Sequence, residues 1–334
     1  MLDLSVLDLA VIGQDSSPEQ ALRDVVQVAR TAERHGYHRF WVAEHHAAAA
    51  TAGSSPAVLL AYIAACTKTL RVGSGGVMLP NHAPLVVAEQ FAVLQGLHDG
   101  RVDLGVGRSS GGNTTSNVLH DALYRHPRAM AEFSDLVDEL LGFLHDSWPA
   151  GHRFESLRMS PRISTPPGVF VLGAGENSAR LAAERGLPFV YGHHLGRSKA
   201  RPAAVDRYRA TFTGERPYVI ASVNVVCAET DEEAERAAIA VAQWDVRRRE
   251  GDDLIESRLR YLVDQVLDEG QVVRGAPTTV LNEIHNLATT MDVDEIMLVP
   301  IEHTGTARSR TLRLIAESRH ADRYLEAEAA APMA

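Results

Sequence analysis

Four short stretches of this chain combine residue types that do chemistry with glycines that let a ligand approach closely. The first is Glu44-His45-His46. A histidine titrates near neutral pH, so His45 could donate a hydrogen bond or move a proton, and Glu44 could orient an imidazole or a backbone amide. A metal reading needs further ligands, and His82, His193 and His194 stand near other strand ends. No metal is assigned here, and the plainer alternative is that these histidines tie strand ends to backbone. The second stretch is Gly73-Ser74-Gly75-Gly76, where a missing Cβ admits a flat ligand, a bulge or close strand packing. The third is Gly105-Val106-Gly107-Arg108. Arg108 offers a rigid fork to a phosphate or carboxylate, with a surface ion pair as the alternative. The fourth, Gly173-Ala174-Gly175 before Asn177-Ser178, combines free backbone N–H groups with a helix start, which suits an anion; Ser178 either bonds to it or caps the helix.

Together these stretches suggest a phosphorylated cofactor or substrate held by Arg108 and the Gly173–Ser178 turn. Its planar part would lie across Gly75-Gly76, with His45 beside the reactive edge. The glycine spacing of a dinucleotide-binding fingerprint is missing after the first strand, where Gly13-Gln14-Asp15 stands instead. The local sequence shows neither a Ser-His-Asp nucleophile motif nor a well-supported pair of acids for glycoside hydrolysis.

The elements that must position these residues alternate along the chain. Strands are expected over Ser5–Ile12, His38–Val42, Leu70–Met78, Val102–Gly107, Val169–Leu172, Pro188–Tyr191, Tyr218–Cys227 and Glu295–Pro300. Helices are expected from Ser17-Pro18 to Gly36, over Pro56–Thr67, Pro84–Leu97, Pro127–Leu144, Ser178–Arg185 and Ser198–Phe212, from Thr230 toward Arg247, and over Thr278–Thr289 and Thr306–Glu317. Eight strand–helix alternations point to an α/β fold, a single (β/α)8 TIM barrel with insertions after strands four and seven; a doubly wound sheet is the alternative. All four stretches then face one mouth, at the C-terminal ends of the strands. A loop-rich insert over His145–Pro167, with room for one hairpin, could cover that mouth. Gly251–Gly275 is read as a lid that limits water access, or else as a long connection. One domain over 1–325 is expected, with a flexible tail over 326–334.

Composition narrows the function class. The 334 residues carry 33 Lys and Arg against 43 Asp and Glu, a formal charge of −10, which argues against a broad nucleic-acid surface. Two cysteines make no disulfide scaffold. No leader-like N-terminus and no long apolar run are present, so a cytoplasmic enzyme without membrane contact is expected.

Read together, Trp41-Val42-Ala43-Glu44-His45-His46, Val72–His82 and Gly100–Arg108 resemble the bacterial luciferase-like flavin-dependent monooxygenase family. The resemblance is dense over residues 1–112 and looser through the strand-five turn and the final strand. It implies reduced FMN (FMNH2) and dioxygen acting on a small organic substrate through a flavin peroxide, with the deazaflavin F420 and hydride transfer as the alternative. It also implies His45 as the catalytic histidine and a cis peptide at Gly75–Gly76 beneath the flavin ring. Arg108, Ala174, Gly175 and Ser178 fall around the flavin phosphate, Glu44 is placed on the cofactor side, and Asn81 and His82 either shape the flavin or substrate side or tie down the strand-three loop. A separate NAD(P)H-flavin reductase would supply FMNH2, and a homodimer is expected. A non-catalytic flavin-binding protein is the remaining reading. Met78 and Trp41 are expected to pack rather than to react. Nothing in the sequence names the substrate or implies light emission.

Overall fold

The computed structural model of the chain describes residues 2–14, 16–109, 117–123, 132–196, 202–251, 253–269 and 271–330. Nine strands lie among the described residues: β1 (Asp3–Asp8), β2 (Arg39–Val42), β3 (Arg71–Met78), β4 (Val102–Gly107), β5 (Gly168–Gly173), β6 (Phe189–Tyr191), β7 (Val219–Cys227), β8 (Val273–Gly275) and β9 (Glu295–Pro300). Their order is β6-β5-β4-β3-β2-β1-β9-β7-β8, and β6 also pairs with β7. Eight parallel strands therefore close into a ring, and β8 is an added short strand on β7. This is the expected (β/α)8 barrel, and the doubly wound alternative is set aside by closure.

The surrounding helices are α1 (Pro18–Arg34), α2 (Pro56–Ala65), α3 (Pro84–Leu97), α4 (Asn117–Ala122), α5 (Phe133–His145), α6 (Glu176–Glu184), α7 (Ala203–Thr211), α8 (Asp231–Glu250), α9 (Glu256–Glu269), α10 (Pro277–Met291) and α11 (Gly305–Ala330). Local chemistry sets their starts. The Ser17 hydroxyl accepts from Gln20 N with Pro18 in the first turn, and the Thr230 hydroxyl accepts from Glu233 N. Val25, Val28, Ala29 and Ala32 form the buried stripe of α1 against the barrel wall.

Inside the ring a small core of Leu7, Trp41, Phe170, Val190, Ile220 and Met297 fills the barrel, separate from the larger strand–helix layer. Trp41 is fully buried, donates through Nε1 to Asp103 at 3.1 Å and meets Phe170 edge-on at 5.0 Å, so it packs as expected. Beneath this core, Arg39 bonds Asp103 at 2.8 Å and Glu295 at 2.9 Å, Arg71 bonds Asp103, and Tyr218 donates to Glu295 at 2.7 Å. Asp103 and Glu295 are fully buried, and each is satisfied by this network, which seals the end of the barrel opposite the mouth.

Several expected boundaries move. β1 ends at Asp8 rather than Ile12, because the Asp8 carboxylate accepts from Ala10 N at 2.8 Å and from Arg308 at 3.1 Å and turns the chain out. α5 starts at Phe133; the expected start at Pro127 lies outside the described residues, as does the Ser198 start expected for α7. The closing helix, expected over Thr306–Glu317, runs from Gly305 through Ala330.

Both inserts sit elsewhere than expected. Residues 146–167 form no hairpin and do not reach the mouth. Trp148 stacks on His152 and packs edge-on against Phe143 of α5, and Ser160 N bonds Glu89 of α3. Aromatic burial against α5 thus pins this segment to the outer helices. The described residues of 251–275 pack on α8 and do not line the mouth. Leu259, Val263 and Leu267 of α9 lie four residues apart and are buried against Ala234, Ala238 and Ala242 of α8. Those small side chains allow close helix packing, and β8 then anchors the exit to β7.

Candidate active site

At the C-terminal ends of the strands lies a cavity of about 640 Å³, a volume suited to a cofactor-sized ligand. His45, Gly75, Arg108, Ala174, Gly175 and Ser178 all line it. The barrel thus brings together stretches up to 133 residues apart, as the difference between positions 45 and 178 shows. Glu44, Gly76 and Asn81 do not line it.

The Gly75–Gly76 peptide is cis, as the resemblance implies, and the β3–β4 register shifts between Ser74 and Val77. The sequence left a bulge and a ligand floor as alternatives; the structure contains the bulge and sets Gly75 on the cavity floor. A Cβ on Gly76 would stand 2.8 Å from the backbone oxygen Gly105 O, so β3 can lie this close to β4 only without a side chain there. At the other end, a Cβ on Gly173 would stand 2.4 Å from Ser178 Oγ, which explains how the β5 exit folds tightly onto the first turn of α6.

That turn is the anion-binding candidate. α6 begins at Glu176 with Gly175 as its cap, and no side chain caps the free N–H groups. Ser178 therefore lies inside the first turn and is not the cap residue. Glu176, whose charge would oppose an anion, lies 3.4 Å from Arg207. Arg108 follows β4, the strand paired with β5, lies exposed on the cavity wall, and makes no ion pair among the described residues. A guanidinium without an ion-pair partner among the described residues and the free amides of a helix start thus line one cavity, chemistry that suits an anion.

Behind the floor, Glu44 is fully buried and acts as a hub. Its Oε1 meets His46 Nε2 at 2.7 Å and His82 Nε2 at 2.9 Å, and its Oε2 accepts from Met78 N at 3.0 Å. Burial pushes the carboxyl pKa up. The hydrogen bonds and charge of His82, with His46 and the Met78 amide, outweigh that effect and hold it below its ordinary value. These ligand atoms lie within 4.8 Å of one another, close enough to share a cation. The hydrogen bonds already account for the arrangement, in which Glu44 clips the end of β2 to the end of β3. The folded carboxyl titrates below the unfolded one, so its stabilisation is present above the ordinary carboxylate range and is lost as pH falls through the folded pKa. Glu44→Gln should cost about 1–2 kcal/mol at neutral pH. In urea unfolding the gap between wild type and variant should narrow below about pH 4. A gap unchanged with pH would refute the hub.

His45 is half-buried, and its backbone N–H donates to Gly53 O at 2.7 Å. Its Nδ1 is buried without a partner among the described residues. Burial lowers its pKa from the ordinary value of 6.5, Glu44 opposes this and His46 adds to it, so the ring is neutral at physiological pH. A further polar pair stands on the opposite wall. There His194 and Ser222 also face the cavity, with His194 Nδ1 only 2.6 Å from Ser222 Oγ. The His193-His194 pair after β6 was visible in sequence, but Ser222 lies inside an ordinary apolar strand and carried no signal. The chain running on from Ser109 and from Gly196 lies outside the described residues.

The chain is similar to known proteins along most of its length. A family model described as luciferase-like monooxygenase matches residues 2–292. The chain is 35% identical over 317 residues to the N-acetyl-S-alkylcysteine monooxygenase of Bacillus subtilis (strain 168), covering 91% of this chain and 94% of that protein. It is 36% identical over 324 residues to the luciferase-like monooxygenase of Escherichia coli (strain K12), covering 88% and 90%. Among solved structures, the crystal structure of apo-MsnO8 superposes with a TM-score of 0.83 at 34% identity, covering 96% of this chain and 99% of that one.

Proposed function

The chain belongs to the luciferase-like monooxygenase family, and from that premise we propose that it uses FMNH2 and dioxygen to place one oxygen atom on a small organic substrate. The observation that carries this reading is a single cavity with a phosphate-type site at one end and the neutral imidazole of His45 at its inner wall. Arg108 and the N–H groups of Gly175 to Ser178 would hold the phosphate, and the ring would lie against the cavity wall that Gly75 lines. When bound, the reduced flavin supplies the electrons that activate dioxygen. The protein's part is to fix the ring, exclude water with the apolar walls of Leu7, Leu172 and Val190, and hold or accept a proton at His45.

The relative named for N-acetyl-S-alkylcysteines makes those thioethers the first substrates to try. The test supplies FMNH2 from a separate NAD(P)H-flavin reductase under ¹⁸O₂ and follows the organic product by mass spectrometry. One ¹⁸O atom per product molecule is expected. Reduced F420, run in parallel, is expected neither to bind nor to turn over. Tight binding of F420 and none of FMNH2 would reverse the cofactor assignment.

Two further parts of the reading concern assembly and location. α2 and α3 carry apolar side chains on their outer faces too, with Val58, Tyr62, Val86, Val93 and Leu97 all exposed. A surface helix normally presents polar residues there, so these faces suit a twofold contact between two copies of the chain. Sedimentation should show a dimer, and Tyr62→Glu should yield folded monomer; a monomeric wild type would dismiss the contact. No helix among the described residues is long and apolar enough to cross a membrane, which accords with action in the cytoplasm beside the reductase.

A further inference from the structure

The wall opposite His45 carries a second imidazole whose protonation pattern is fixed by its neighbours. Ser222 is buried on β7, and its hydroxyl donates its one proton to Tyr191 O at 3.3 Å. Its oxygen is then left to accept, and His194 Nδ1 stands 2.6 Å away. With that proton given to Tyr191 O, Nδ1 carries the ring proton and Nε2 keeps a bare lone pair, the tautomer on which the proposal below stands. The Nε2 atom has no partner among the described residues, and His194 lines the cavity. The backbone is fixed as well, since Asn224 Nδ2, also on β7, donates to His194 O at 3.1 Å. Among the described residues, the groups facing this ring are His45 across the cavity, His193 beside it, and Ser222, with no carboxylate. Burial, with repulsion from His193 and His45, pushes its pKa down to about 4. The ring therefore stays an uncharged acceptor through the physiological range.

We propose that the Ser222–His194 pair presents a fixed hydrogen-bond acceptor that favours reduced over oxidised flavin. The proposal rests on the FMN reading above. Reduction adds an N–H donor to the central ring of a flavin, where the oxidised form has an acceptor nitrogen. A lone pair held at His194 Nε2 can be satisfied by the first and is left unsatisfied by the second. For an enzyme that receives FMNH2 from a reductase and must release FMN, His194 would thus separate the flavin to be used from the flavin to be discharged. It is a specificity-determining residue, distinct from His45.

The test has one arm without any flavin. In the protein labelled with ¹⁵N-histidine, His194 should show a protonated Nδ1 and an unprotonated Nε2, and Ser222→Ala should mix the two tautomers. In the second arm, FMN and anaerobic FMNH2 are titrated separately into wild type, His194→Phe and Ser222→Ala, with circular dichroism confirming the fold. Wild type should prefer FMNH2. His194→Phe should weaken FMNH2 by about five- to tenfold and leave FMN nearly unchanged. Ser222→Ala should reduce the preference by a smaller factor. A protonated Nε2 in the free protein, or equal loss of both flavins in His194→Phe, would overturn the proposal. Failure of the wild type to bind either flavin would instead refute the FMN reading itself, while the tautomer measurement would still report on the Ser222 lock.

Discussion

Replacing His45 with alanine should uncouple the enzyme: flavin would still be oxidised, but coupled product should fall about 100-fold or more, with the reducing equivalents lost as hydrogen peroxide. The reasoning starts from position. His45 stands at the end of β2 and lines the same cavity as Gly75 and the phosphate-type turn. Its Nδ1 has been taken out of water without a partner among the described residues, a cost that a bound ligand can repay. Because burial holds the ring below its ordinary pKa, the neutral form prevails at pH 7. If that form is needed, wild-type coupling should persist through neutral pH and decline as the solution is acidified below about pH 6.5, the ordinary value. The variant should lack that acid limb. FMN affinity should change little, because the phosphate end lies across the cavity. Normal coupling in His45→Ala, or the same acid limb in both proteins, would remove His45 from the chemistry.

The second large effect concerns the cofactor's charge. Arg108→Ala should weaken FMN by about 10- to 100-fold, the worth of a charge-assisted hydrogen bond, and leave riboflavin almost unaffected. Arg108 has no acid to pair with among the described residues, and the amides at the start of α6 face the same space. Glu176 is engaged with Arg207 and does not compete for the arginine. Added salt should erode wild-type affinity for FMN more than that of the variant, because the guanidinium lies exposed to solvent. An equal loss of FMN and riboflavin would mean that Arg108 merely shapes the wall.

The particular errors of the sequence reading share one cause. Gly251–Gly275 looked like a mobile excursion because its ends carry acids and glycines. Its stripe of Leu259, Val263 and Leu267 gained meaning only once the small residues of α8 were known to lie alongside. The 145–167 segment looked like a cover for the mouth, yet Trp148 and Phe154 bury themselves against Phe143 on the outer helices. The Arg39–Asp103–Glu295 network joins three strands far apart in the chain, and charged residues in a strand give no hint of distant partners. In each case the deciding contact is between segments whose proximity no local pattern encodes.

What the sequence determined unaided is whatever depends on neighbours along the chain: the alternation that makes a barrel, the glycines where backbone must approach, and His45, Arg108 and the Gly173–Ser178 turn at strand ends. Those features follow from the period of strands and helices and from the reach of single side chains. Tertiary structure alone decided which side chains share the cavity. It set Glu44 behind the floor, clipping two strands, and brought Ser222 from the middle of β7 against His194. The physical reason is that ring closure places side chains by strand register, so partners 28 or 38 positions apart come within hydrogen-bonding distance.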